Sequence, residues 1–180
     1  KPDSKPTATK PQLERKPKPL SNKEGNMQSP QGARYVFPGL GGLYQRCEKY
    51  AWALLRIGYG LWYVPHGAQK LFGWFGGNIA GVAKGMDAVG ISPGMFWAYY
   101  IGVLEFAGGS LLAIGLFTRP VALLFAGFTA VAAFYFNWRY GYFWTKAGLE
   151  MPLLLLWIAI VILIRGGGEY SVDRRIGREV

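Results

Sequence analysis

Cysteine and histidine are almost absent from this sequence: Cys47 and His66 are the sole examples in 180 residues. A lone cysteine excludes an intrachain disulfide, a Cys-x-x-Cys redox pair and a thiolate metal cluster. A lone histidine excludes bis-His haem ligation, or a His-rich metal centre built by this chain alone. Also missing are a Gly-rich phosphate loop, a nucleophile elbow and a pair of carboxylates at catalytic spacing. Residues 1–30 contain no apolar run of the signal-peptide kind. The middle of the chain is poor in charge, with six basic and three acidic side chains in residues 50–164.

What is present is sharply segregated. About half the chain is hydrophobic and 16% is aromatic, yet residues 1–49 hold ten of the twenty Lys and Arg and almost no apolar run. Five Lys-Pro steps fall within residues 1–33. Such a segment buries too little to offset the entropy of ordering, so it is expected to be disordered or extended and polyproline-like. The division expected is a basic tail over 1–49, a membrane domain over 50–175 and a short C-terminal end over 176–180.

Four apolar runs follow the tail. The first is Tyr50–Val64, closed by Pro65-His66 and extendable to Phe72. The second runs from about Pro93 to Leu116, the third covers Val121–Phe136, and the fourth covers Glu150–Ile164, ending at Arg165 and three glycines. Crossing a bilayer core takes roughly 20 apolar residues, which these runs reach with snorkelling Lys or Arg and interfacial aromatics at their ends. None leaves a solvated polar face, so the fold class expected is all-α, a bundle of four transmembrane helices. The Gly-rich stretch 71–92, with Trp74 and Phe75, reads as an interfacial connection holding a short amphipathic piece.

Four spans place fifteen Lys and Arg on the side of the tail and four on the other, with Arg56 inside the membrane. The richer side is expected to be cytoplasmic, giving a multi-pass protein of the cell inner (plasma) membrane with both termini in the cytoplasm. The tail has no aromatic residue before Tyr35, which argues against a nucleic-acid partner. Membrane lipid and other membrane subunits are the partners expected.

Ionisable groups inside a membrane are costly and mark function or structure. Arg56 and Glu105 lie deepest, at depths that an extended arginine could bridge, and are expected to pair. Two readings of that pair stay open: an ion pair that fixes which helices touch, and a charged element of a quinone or proton site. Arg56, Tyr59, Tyr63, His66 and Lys70 recur at steps of three and four and so share one helix face, expected to look into the bundle or a cavity. His66 is either an interfacial side chain bonded to a neighbour, a hydrogen-bond donor to a quinone, or a single ligand to haem or chlorin. Lys70, Arg139 and Glu150 share its boundary, so His66, Lys70, Arg139 and Glu150 form a candidate outer polar cluster. Glu150 also suits the N-terminus of the fourth helix. Ala98, Gly102, Gly109 and Ala113 on the second run, and Ala122, Ala126, Ala130 and Ala133 on the third, make small-residue faces for close packing. No metal site is expected.

Several motifs occur in a fixed order. Gly67-x-x-Lys70-Leu71-Phe72-Gly73 follows the first run. Glu105-x-x-Gly108-Gly109-x-Leu111-Leu112-x-x-Gly115-Leu116-x-Thr118-Arg119 crosses the second, Glu150 opens the fourth, and Gly166-x-Gly168-x-Tyr170-Ser171-x-Asp173 closes the domain. The sequence over roughly residues 50–175 thereby resembles the DoxX family of small four-span membrane proteins. It departs from the family in reading Gly148-Leu149-Glu150 where Gly-Gly-Glu is frequent, and in its long basic tail.

The resemblance implies a redox setting, since the family is named for a subunit of a quinone-reducing thiosulfate oxidoreductase or terminal quinol oxidase. The expected function is an accessory subunit of a respiratory or photosynthetic membrane complex, non-catalytic on its own, with the tail contacting partner subunits. The alternatives are a quinone-reactive oxidoreductase subunit and a small-solute transporter. No intrinsic cofactor is expected; a bound quinone or lipid is the candidate ligand.

Overall fold

A computed structural model describes residues 36–177. The expected extended tail over residues 1–33 lies outside the described residues, as does Arg178. The chain divides into two units, one ending at Arg46 and the next beginning at Cys47. Every regular element among the described residues is helical.

The first helix, α1 (Pro38–Phe72), opens on a proline, whose missing N–H is harmless in a first turn, and continues through Pro65. Helix therefore begins twelve residues before Tyr50, inside the stretch assigned to the tail. Between Gly39 and Lys49 neither proline nor a β-branched residue interrupts the chain, and the helix extends backward from the apolar run despite the unfavourable Gly39, Gly41 and Gly42. After a short 3-10 turn at Trp74–Gly76 comes α2 (Ile79–Ala88), the expected short piece, capped by the Asn78 carboxamide accepting from the Gly81 N–H at 3.2 Å.

Next are α3 (Gly94–Ile114) and α4 (Thr118–Tyr140), at 21 and 23 residues the two helices among the described residues that are long and apolar enough to cross a membrane. Each contains a widened π turn, Leu104–Gly108 in α3 and Ala132–Asn137 in α4. The helix α5 (Glu150–Arg165) has 16 residues, and a single turn, α6 (Val172–Ile176), follows.

Small residues set the distance between α1 and α3. A Cβ on Gly60 would strike the Gly109 carbonyl, one on Gly109 would come within 2.6 Å of the Gly60 carbonyl, and one on Gly67 would reach 2.7 Å from the Gly102 carbonyl. The backbones thus cross where side chains would keep them apart. Ala98, Gly102 and Gly109 are buried as the small-residue pattern predicts, and so are Ala122 and Ala133 on α4. The core groups Tyr59 and Tyr63 of α1 around Phe125 of α4, with Leu112, Val121, Ala159 and Ile162. Tyr63 and Phe125 pack with ring centroids 4.4 Å apart and planes tilted by 40°.

Candidate functional site: a lateral cleft above an ion pair

The contacts of Gly60 with Gly109 and of Gly67 with Gly102 fix an antiparallel register between α1 and α3. In that register Arg56 stands opposite Ala113, about two helical turns, roughly 12 Å, from the level of Glu105. The expected Arg56–Glu105 pair is accordingly not formed.

Arg56 is fully buried, and its guanidinium donates to backbone carbonyls instead. Nη1 bonds the Leu112 and Ala113 oxygens, the latter at 2.9 Å, and Nη2 bonds the Tyr170 oxygen at 2.8 Å. The last turn of α3 carries the negative end of the helix dipole and carbonyl lone pairs to spare, Leu112 O also accepting from the Gly115 N–H at 3.1 Å, so a cation fits there without a carboxylate bonded to it.

The same end of the bundle is tied by Asp173, also buried. Its carboxylate accepts from the Phe117 N–H at 2.8 Å, the Thr118 N–H at 2.9 Å and the Thr118 hydroxyl at 2.8 Å, while its own N–H donates to Gly115 O at 2.9 Å. It thereby caps α4 from a distant part of the chain. Trp52 completes the joint, donating Nε1–H to Gly166 O at 3.1 Å beneath the Arg165 guanidinium, which lies 4.6 Å from its ring centre.

Glu105 pairs with Lys70, Nζ to Oε2 at 2.6 Å, with the lysine 18% exposed and the carboxylate 5%. The two belong to the motifs on either side of the connection, and the register that separates Arg56 from Glu105 brings Lys70 to it. Lys70 also reaches back to the His66 carbonyl at 3.4 Å. The remaining carboxylate oxygen receives no hydrogen bond from the described residues.

Of the expected outer cluster, only Lys70 enters this site. His66 lies at the edge of the α1 stripe, is exposed, and sits 6.2 Å from the Trp62 ring. Arg139 packs over Tyr140, and Glu150 accepts from the Trp144 N–H at 3.0 Å, bracing the loop before its own helix. The cluster of His66, Lys70, Arg139 and Glu150 is thus not assembled: Lys70 is taken by Glu105 across the helix pair, while His66, Arg139 and Glu150 each meet neighbours close in sequence.

The ion pair forms the polar floor of a cavity of about 760 Å³. Trp97, Tyr100 and Ile101 of α3 line one wall, Phe128 and Phe136 of α4 the other, and Met86 and Ile91 close one end. Its rim on α4 consists of Leu123, Leu124 and Val131, all exposed, so the cleft opens sideways between the two longest apolar helices. From Leu123 to Asn137 it follows α4 for about 20 Å. Glu105 belongs to the π turn of α3, and Ala132, Phe136 and Asn137 to that of α4, so both irregular turns border the one cavity. Such turns free backbone groups and re-aim side chains, and they concentrate at binding sites. A cavity of this size and lining suits a small lipophilic molecule.

Asp87 holds the end wall in place. It accepts from the Ser92 hydroxyl at 2.7 Å and the Gly94 N–H at 2.8 Å, bonds that hold its carboxyl below the ordinary aspartate range. Tyr135 adds a hydroxyl bond to Val89 O at 2.7 Å, joining α4 to the segment that follows α2.

The sequence profile of the DoxX family matches residues 51–138, a range that contains Arg56, Lys70, Asp87 and Glu105. The inner membrane protein YqjF of Escherichia coli (strain K12) is 31% identical over 117 residues, which span 65% of this chain and 85% of that protein. No solved structure matches at a significant level.

Proposed function

The chain belongs to the DoxX family of membrane proteins, and on that premise we propose that it is an accessory subunit of a larger redox membrane complex, respiratory or photosynthetic. In this reading it crosses the inner membrane four times, the stretch 50–72 of α1 and α5 with its flanks joining α3 and α4, and both termini lie in the cytoplasm. Residues 1–49 contact partner subunits and anionic lipid, where each Lys or Arg contributes on the order of 1 kcal/mol.

The observation that carries this reading is how the buried polar groups are used. Arg56 and Asp173 fasten backbone of separate segments, and Tyr59 donates to Leu155 O at 3.1 Å. These groups hold the bundle together and leave Lys70 and Glu105 as the pair that faces a cavity. The test is gentle detergent extraction of the native membrane, followed by native-gel mass spectrometry of the full chain and of a version lacking residues 1–33. The full chain is expected in a large complex from which the shortened chain is lost; both chains running as small free bundles would overturn the reading.

The cleft favours a second reading, a quinone-reactive subunit. Its volume, apolar walls and single charged pair suit a lipophilic ring. The electron carrier would have to sit on another subunit, since one Cys and one His provide neither an iron–sulfur ligand set nor a haem pair. Organic extraction of the purified complex should recover a redox-active lipid in near-equal amount with this chain, and recovery of none would count against it.

A further inference from the structure

The hydrogen-bonding capacity left over at the floor of the cleft specifies what kind of head group fits there. Lys70 carries three N–H donors and directs two of them, to Glu105 at 2.6 Å and to the His66 carbonyl at 3.4 Å. Glu105 has one oxygen on Lys70 and the other without a partner among the described residues. The floor therefore presents one spare donor beside one spare acceptor, and its formal charge is zero.

A charged head would leave an uncompensated charge in an apolar cleft that opens sideways. A carboxylate or phosphate would add negative charge beside Glu105, and an amine would add positive charge beside Lys70. A head that only accepts, such as a carbonyl, satisfies Lys70 and leaves the Glu105 oxygen bare. A hydroxyl accepts from Lys70 and donates to Glu105 through a single atom.

We propose that the cleft between α3 and α4 binds an uncharged, hydroxyl-headed lipophile, a phenol, quinol or lipid alcohol, through Lys70 and Glu105. The head lies on the ion pair, and the apolar body follows the groove past Phe128 to the exposed rim at Leu123 and Leu124, where it enters from the bilayer. The proposal rests on the cavity and its floor, and it narrows the quinone reading to the reduced form. One π turn carries Glu105 at this floor and the other carries Ala132, Phe136 and Asn137 of the facing wall, a second feature that singles out the same cavity.

The test uses the full chain in phosphatidylcholine nanodiscs and four probes, read by the change in tryptophan emission, to which Trp97 contributes. The probes are 4-nonylphenol, its methyl ether 4-nonylanisole, decylubiquinol and decylubiquinone. The phenol and the quinol are expected to bind at least tenfold more tightly than the ether and the quinone, because those two leave Glu105 unpaired. Lys70→Met/Glu105→Met, which exchanges the pair for apolar side chains of similar length, should erase the discrimination while retaining weak binding of all four. Leu123→Trp, a rim change that spares the pair, should weaken all four probes equally.

Equal affinity for phenol and ether, or discrimination that survives the double variant, overturns the proposal, and so does failure of every probe to bind. Quinone bound as tightly as quinol also overturns it and leaves the quinone reading standing. Phenol bound without quinol supports the proposal and removes the quinone reading.

Discussion

The two ends of the bundle hold buried charge in opposite ways. At the Arg56 end, cation and carboxylate attract each other without bonding: Arg56 bonds Leu112, Ala113 and Tyr170 carbonyls, and Asp173 bonds Phe117 and Thr118. At the Lys70 end the charges bond each other, and the pair faces open space. An ionised group tied to the backbone of distant segments is a fastener; one whose partner is a second side chain, with an oxygen to spare, can exchange that partner for a ligand. The position of a charge in a membrane helix therefore says less about its role than whether its hydrogen bonds are already committed.

The largest effect is expected from Arg56→Met. It strips charged bonds from three backbone carbonyls and leaves a fully buried site unfilled by its guanidinium, and should lower stability by roughly 3–5 kcal/mol, read as thermal or denaturant unfolding in detergent. A loss below about 1 kcal/mol would remove the distinction between the two ends.

A smaller effect separates the pairs directly. In double-mutant cycles, Lys70→Met with Glu105→Gln should show a coupling of about 1 kcal/mol or more. Arg56→Met with Glu105→Gln should be additive to within about 0.5 kcal/mol. Coupling in the second cycle and none in the first would restore the Arg56–Glu105 pair and contradict the register described above.

The smallest effect concerns the end wall of the cleft. The Asp87 carboxyl is held below its ordinary range by Ser92 and Gly94, so its contribution is present above the unfolded value near about pH 4 and fades as pH falls through the lower folded value. Hydrogen exchange at the Gly94 amide should accelerate on acidification below about pH 4, while amides of α4 stay protected. Protection unchanged down to pH 2 would show that Asp87 does not hold the joint.

The helices were largely legible in advance. The apolar runs starting near Pro93, Val121 and Glu150 became α3, α4 and α5 because no competing pattern lies within them. The partner of Glu105 was not legible. Depth along each helix was readable, but the register between helices is set by Gly60, Gly67, Gly102 and Gly109, whose effect appears only when two backbones touch. Glu105 is level with a point between Arg56 and Lys70, so the register decides which of the two it meets. Asp173 was visible within a motif, yet its role depends on a turn 55 residues earlier, which no local pattern reveals. His66 missed the inward face because the stripe at steps of three and four is wide and Gly67 holds its centre.

The clasp made by Tyr170 and Asp173 also bears on how the protein is made. Both residues leave the ribosome after every helix they fasten has been synthesised. Until then Arg56 lacks one of its three carbonyls and the start of α4 lacks its cap. The nascent chain thus passes through a stage in which all the long helices have been made but the contacts of Tyr170 and Asp173 that lock their end have not.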